Sequence, residues 1–348
     1  MFPLEYPLRM LQNAPPISRV LDPFCGRGTT LYAARTLGLS AYGIDTNPVA
    51  VAIAQAKLAR TTVQAVTNLA AALLEGPSPT NIPQGEFWSL CYHPATLSAI
   101  CKLREELQRR RGNAAIVLRA LMLGILHGPL QRTFPSYLSN QMPRTFASKP
   151  EYSVRYWRKY HFTAPPQIDI LELITRKAQR VLTALPAAVP GNVQCADARN
   201  LTFDEPFDYV ITSPPYYGML TYRADQWLRY WFLGAPPEVP YHDRTQVSRG
   251  GVRGFIQALA NIWDRIGAVS HEDTQLCVRF GSLPSEPVDP EQVLRTSFEQ
   301  STYQWVIQDL TPALQLRRGT RQAEQMGTHG RRNPAHNEID VIAQLNQR

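Results

Sequence analysis

Residues 18–39, SRVLDPFCGRGTTLYAARTLGL, run from a short apolar strand through a glycine turn into a helical repeat. No other segment limits the possible folds as much. SAYGID (40–45) then reads as a second short strand, and NPVAVAIAQAKLAR (47–60) opens a helix with Asn47 placed to cap it and Pro48 at its first position. Strand, turn, helix, strand, helix is the first half of a doubly wound α/β sheet.

The alternation returns late in the chain. NVQCADARNL (192–201) and FDYVITSPPYY (207–217) are short strands ending in polar loops, and further strands are expected at 274–280, 303–310 and 338–345. Helices are expected near 222–233, 251–268 and 290–300. The middle does not alternate: after the linker EGPSPTNIPQG it predicts helices at 94–111, 113–127 and 167–185, with an aromatic and basic loop between the last two. The expected organisation is a cofactor half over 1–75, a helical insertion over 76–190 between the second and third strands, and a catalytic half over 191–348.

The formal net charge is +8, and its distribution is informative. Segments 102–119, 144–160 and 317–332 each carry four net positive charges, so the remainder of the chain is net acidic. Clustering of this kind is the footprint expected for a phosphate backbone, although solvated helix faces would look the same. Five cysteines without a CxxC spacing speak against a zinc site or a disulfide framework, so no metal is expected and a reducing, cytoplasmic setting fits. The start MFPLEYPLRMLQ lacks the charged-then-apolar order of a signal peptide, and the apolar run 114–126 is too short to span a bilayer, so no membrane partner is expected.

Asp22, Gly26, Gly28 and Asp45 together invite a nucleotide reading, because Gly-x-Gly after a strand lets backbone approach a ligand and an acid ending the second strand can accept ribose hydroxyls. Leu31 stands where a dinucleotide fingerprint needs its third glycine, which disfavours a nicotinamide cofactor. The full string LDPFCGRGTT resembles the S-adenosylmethionine loop of the DNA amino-methyltransferases, the family that methylates N4 of cytosine or N6 of adenine. That resemblance implies a Rossmann-like sheet of seven strands with the last antiparallel, and S-adenosylmethionine as cofactor. It assigns the cofactor loop to Pro23, Phe24, Gly26, Gly28, Thr29 and Thr30, places Asp22 toward the methionine end, and gives Asp45 the ribose. Asp197 and Ala198 fall near the adenine, and Tyr6 and Pro7 in the YPLRML segment fall near the cofactor's amino-acid end.

TSPPY (212–216) resembles the same family's catalytic corner. An exocyclic amine is a poor nucleophile because its lone pair is delocalised into the ring. Ser213 and the Pro214 carbonyl could each take one amino hydrogen and turn the lone pair toward the methyl group; Pro215 stiffens the loop, and Tyr216 offers a face to an extruded base. Serine in the first position leans toward cytosine N4, with adenine N6 or an RNA substrate as alternatives within the class. A non-catalytic DNA-binding regulator on the same fold is the alternative outside it.

Double-stranded DNA is the expected partner. Its candidate contacts are Arg144, Lys149, Arg155, Arg158 and Lys159, interleaved with Tyr152, Tyr156, Trp157 and Tyr160, and Arg317, Arg318 and Arg321 in the later loop. A nucleoid-associated place in a prokaryote and a companion restriction endonuclease go with such an enzyme. His93 and His127 show no ligand spacing and are expected to be structural.

Overall fold

A computed structural model describes residues 2–129, 135–139, 141–219, 221–240, 244–245, 250–313 and 336–346. The chain opens with α1 (Glu5–Leu11), β1 (Arg19–Asp22), α2 (Thr29–Thr36), β2 (Ser40–Asp45) and α3 (Pro48–Leu58). Six helices follow: α4 (Val63–Glu75), α5 (Glu86–Cys91), α6 (Pro94–Gln108), α7 (Asn113–Ile125), α8 (Pro150–Lys159) and α9 (Ile170–Leu182). After them come β3 (Gly191–Cys195), β4 (Phe207–Thr212), α10 (Trp227–Phe232), α11 (Gly251–Gly267), β5 (Ser270–Ser282), α12 (Pro290–Glu299), β6 (Trp305–Pro312) and β7 (His336–Leu345). A two-stranded ribbon pairs Thr221–Tyr222 with Arg244–Thr245.

These elements form two compact units, one of residues 1–58, 186–221 and 245–348, the other of 59–185 and 222–244. In the first, seven strands lie in the order β3-β2-β1-β4-β5-β7-β6. All pair in parallel except β7, which runs antiparallel to both neighbours, as the resemblance implied. Alternate residues feed opposite faces: Leu21, Val210 and Leu276 join a core with Phe255, Trp263 and Phe298, whereas Val20, Ile211 and Cys277 join one with Tyr6, Leu31 and Val51. Strands buried on both faces are what a parallel sheet covered by helices requires.

The strand order reverses between β1 and β4, and the carboxyl ends of strands at such a switch point are where an open α/β sheet receives a ligand. Arg35 at the end of α2 fastens the places where the chain leaves and re-enters this unit. Its guanidinium is buried and donates to the carbonyls of Lys57, Pro186 and Ala187.

The helical unit differs from the sequence expectation in three respects. It starts at residue 59, not 76, because α4 packs on α6, α7 and α9. It also takes in 222–244, whose Trp227 and Trp231 join Phe87, Trp88 and Trp157 in an aromatic core. The third difference is a helix where a loop was expected: α8 has Pro150 in its first turn, Glu151 beside it, and Arg158 and Lys159 in its last, an order that suits the helix dipole.

A candidate active site at the carboxyl ends of β1, β2 and β4

The loop after β1 turns on two glycines with left-handed backbone, Gly26 at φ 49° and Gly28 at φ 74°. A Cβ on Gly28 would lie 3.1 Å from that of Ala54, so helix α3 needs the glycine there. Nothing stands within 4 Å of where a Cβ on Gly26 would be, leaving space beside exposed backbone for a ligand. Lys57 supports the turn by donating from Nζ to the Gly28 carbonyl at 3.2 Å, and burial lowers its ammonium to about 8.

Asp45 closes the loop from the end of β2. Its Oδ2 accepts from the Gly26 N–H at 2.9 Å and its Oδ1 from the Asn47 N–H at 2.8 Å. Each oxygen keeps a second lone pair, so both can also accept a hydroxyl. Burial raises this carboxyl above its ordinary value, opposed by those two N–H groups. The Asp45 carbonyl accepts from Ala196 N–H at 3.1 Å, which sets Asp197 alongside. Asp197 caps a short 3-10 turn and forms an ion pair with Arg199, which lowers its carboxyl; Ala198 is buried in the core.

Asp22 does something the sequence reading did not foresee. It is 2% exposed, with Oδ1 accepting from Phe24 N–H at 3.1 Å and Thr212 Oγ1 at 2.8 Å, and Oδ2 from Thr30 Oγ1 at 2.6 Å. The carboxylate ties the glycine loop, the start of α2 and the end of β4 into one piece. Burial pushes it up to about 6 against those three hydrogen bonds. Thr30 and Pro23 are likewise buried, whereas Phe24 and Thr29 remain half-exposed.

The TSPPY corner leaves β4 beside this clamp. Ser213 and Pro215 are half-buried, and Pro214 is buried. Tyr216 corrects the expectation of a face offered to a base: it is 8% exposed and packs edge-on against Phe280 at 5.4 Å. Its hydroxyl donates to Glu338 Oε1 at 3.0 Å and receives a hydrogen bond from Ser213. Tyr217 is the half-exposed ring of the corner.

Tyr6 and Pro7 are buried on α1. The Arg279 guanidinium lies 4.2 Å from the centre of the Tyr6 ring and makes a two-pronged ion pair with Asp340 (2.6 and 2.7 Å), which Arg9 joins at 3.1 Å. The Tyr6 hydroxyl is buried with no hydrogen-bond partner among the described residues. Sequence reasoning missed Glu338, Arg279 and Asp340. Their only signal was three charged residues on strands otherwise read as core.

In the helical unit, α8 sorts the expected DNA contacts. Tyr152, Tyr156 and Tyr160 recur every fourth residue and are 57%, 42% and 53% exposed, their rings 6.3 and 4.6 Å apart in sequence. Arg155 and Lys159 are exposed on the same helix, and so is Arg144 before it. Three residues depart from the expectation. Trp157 is core, Lys149 pairs with Asp225, and Arg158 forms a bidentate pair with Glu86 at 2.7 and 2.6 Å. Arg317, Arg318 and Arg321 lie outside the described residues. His93 caps α6, and buried His127 bonds to the Pro143 carbonyl and is held neutral, its pKa lowered to about 3 by burial.

Residues 2–56 match the model of the N6/N4 family described as DNA methylase. This match, together with the seven-stranded sheet and the glycine loop, supports an S-adenosylmethionine-dependent methyltransferase. Solved structures resemble the chain only distantly. An rRNA methylase from Streptococcus thermophilus is 8% identical, with 100% of this chain and 98% of that one covered and a TM-score of 0.38. Magnesium protoporphyrin IX methyltransferase (ChlM) from Synechocystis PCC 6803 with bound SAM is 11% identical, with 99% and 76% covered and a TM-score of 0.36. The rRNA methyltransferase aviRa from Streptomyces viridochromogenes is 13% identical, with 99% and 85% covered and a TM-score of 0.33. Likeness at this level says nothing of substrate. No curated protein matches the chain. Among its described residues no helix is long and apolar enough to cross a membrane, and no group of three or more His, Cys, Asp or Glu is placed to hold a metal ion.

Proposed function

We propose that this methyltransferase modifies DNA, placing a methyl group on N4 of cytosine. The observation that carries the reading is the Ser213–Tyr216 corner at the end of β4, bound through Thr212 and the Asp22 carboxylate to the glycine loop after β1. S-adenosylmethionine supplies an electrophilic methyl group on a sulfonium sulfur. The open side of Gly26 and the remaining lone pairs of Asp45 suit its backbone-hugging ribose and amino-acid parts, and Asp197 suits its adenine amine.

At the corner, Ser213 Oγ and the Pro214 carbonyl each accept one amino hydrogen of the target base. Neither proline has an N–H to compete for them. The nitrogen is thereby turned so that its lone pair faces the methyl group, a contribution of orientation and fixed dipoles. Tyr216 holds the serine hydroxyl in place, and the exposed part of Tyr217 provides the stacking surface for an extruded base. The duplex backbone is held on α8 and Arg144, where Arg155 and Lys159 contact phosphates between the tyrosines.

The test is mass spectrometry of nucleosides digested from the DNA of a methylation-free host expressing the chain. N4-methylcytosine is the expected product; N6-methyladenine, or methylation of RNA alone, would refute the cytosine assignment. Ser213→Ala should slow methyl transfer about 10²–10³-fold with cofactor affinity intact. A fully active variant would refute the corner's role.

A further inference from the structure

A methylated amine leaves the transfer carrying one proton too many, and the TSPPY corner holds no base to take it. Ser213 is a hydroxyl, and both burial and the neighbouring Glu338 hold the Tyr216 phenol well above its ordinary range, so it stays protonated. Two carboxylates near the corner are already engaged. Both oxygens of Asp22 are occupied by Thr30, Thr212 and Phe24, and both of Asp340 by Arg279. Glu338 is the carboxylate to which the corner donates.

We propose that Glu338 is the final acceptor of the amine proton, reached through the Ser213 and Tyr216 hydroxyls, an inference that rests on the amine-methylating reading above. The nitrogen forms its bond to the methyl carbon as the carbon–sulfur bond breaks, the bonding pair staying on sulfur. One N–H proton then passes to Ser213 Oγ, the serine proton to Tyr216 Oη, and the tyrosine proton to Glu338 Oε1. Both hydroxyls are restored and the carboxylate ends as a neutral acid.

The geometry serves this route. Tyr216 Oη stands 3.0 Å from Glu338 Oε1 and takes the Ser213 hydrogen bond on the same oxygen, so the three groups form an unbroken chain. Glu338 reaches the corner because Gly281 leaves room on β5: a Cβ there would lie 2.8 Å from Glu338 Cγ and 3.3 Å from Tyr216 Cε2. Of the charged groups around it, Arg279 on β5 carries the opposite charge, Asp340 two residues along β7 is paired with Arg279 and Arg9, and Tyr216 faces it from the β4 loop. Glu338 is thus a positioning and proton-accepting residue that acts through Tyr216.

The experiment uses the full chain with S-adenosylmethionine and DNA from a methylation-free host, read under single-turnover conditions. Glu338→Gln retains an acceptor for Tyr216 but not a base, and should slow transfer about 10²-fold with the affinity for S-adenosylhomocysteine unchanged. Glu338→Asp should lie between it and the native chain. Glu338→Ala should regain rate on addition of formate, which a purely structural defect would not do. Transfer at the native rate by Glu338→Gln would overturn the relay while leaving the amine-methylating reading intact. So would a slow variant whose S-adenosylhomocysteine affinity falls in parallel and which formate does not restore. Failure of the native chain itself to methylate DNA would overturn that reading, and the relay with it.

Discussion

Replacing Asp22 with Asn should change how stability depends on pH, by an amount that follows from the clamp. The carboxyl is 2% exposed, and burial outweighs its three hydrogen bonds, raising it from 3.8 to about 6. A displacement of about two units, at roughly 1.36 kcal/mol each, means that the folded state disfavours the charged form by about 3 kcal/mol. Because the folded value is the higher one, this contribution to stability is complete below about pH 4 and is lost as pH rises through about 6. The amide of Asp22→Asn has nearly the same shape, can serve both threonine hydroxyls, and does not titrate. Urea unfolding at intervals between about pH 4 and 7.5 should therefore show the variant gaining on the native chain by about 3 kcal/mol across that range. Comparing the two chains cancels the other titrating groups. Parallel stability curves would refute the argument that Asp22 carries its charge in a dry clamp.

Three more outcomes follow from the same geometry. Asp45→Ala should weaken binding of S-adenosylhomocysteine by about 1.5–3 kcal/mol in calorimetry, since it removes a charged acceptor; unchanged affinity would take the residue out of the site. Asp340→Asn leaves the buried Arg279 guanidinium without its counter-charge and should lower unfolding stability by about 3–5 kcal/mol; a loss under 1 kcal/mol would contradict this. On α8, Arg155→Ala with Lys159→Ala should flatten the dependence of log K for duplex DNA on log salt by about 1.8, whereas Arg158→Ala, already paired with Glu86, should change it little. Equal effects from all three residues would mean that DNA breaks the Glu86 pair, and no change would move the interface elsewhere.

What could be read in the sequence is what lies within a few residues of chain. The passage from strand to glycine turn to helix at 18–39, the acid ending the next strand and the TSPPY corner are each written contiguously, because backbone conformation and strand alternation are local properties. They were enough to expect an α/β sheet and to propose a methyl-transfer site; the sheet is there, and β7 runs antiparallel as the resemblance implied. The tertiary structure decided which groups those motifs touch. Asp22 stood in the expected loop, but its partner Thr212 is 190 residues away, and only the pairing of β1 with β4 brings the two together as a clamp. Glu338 had no local signal, since it meets Tyr216 only because β7 inserts beside β5 before the sheet ends at β6. Along α8 the basic and aromatic residues read alike, yet helical geometry turns Tyr152, Tyr156 and Tyr160 outward and Trp157 into the core. A side chain's chemistry is set by its own atoms, but its solvent and its partners are set by segments that the fold brings together.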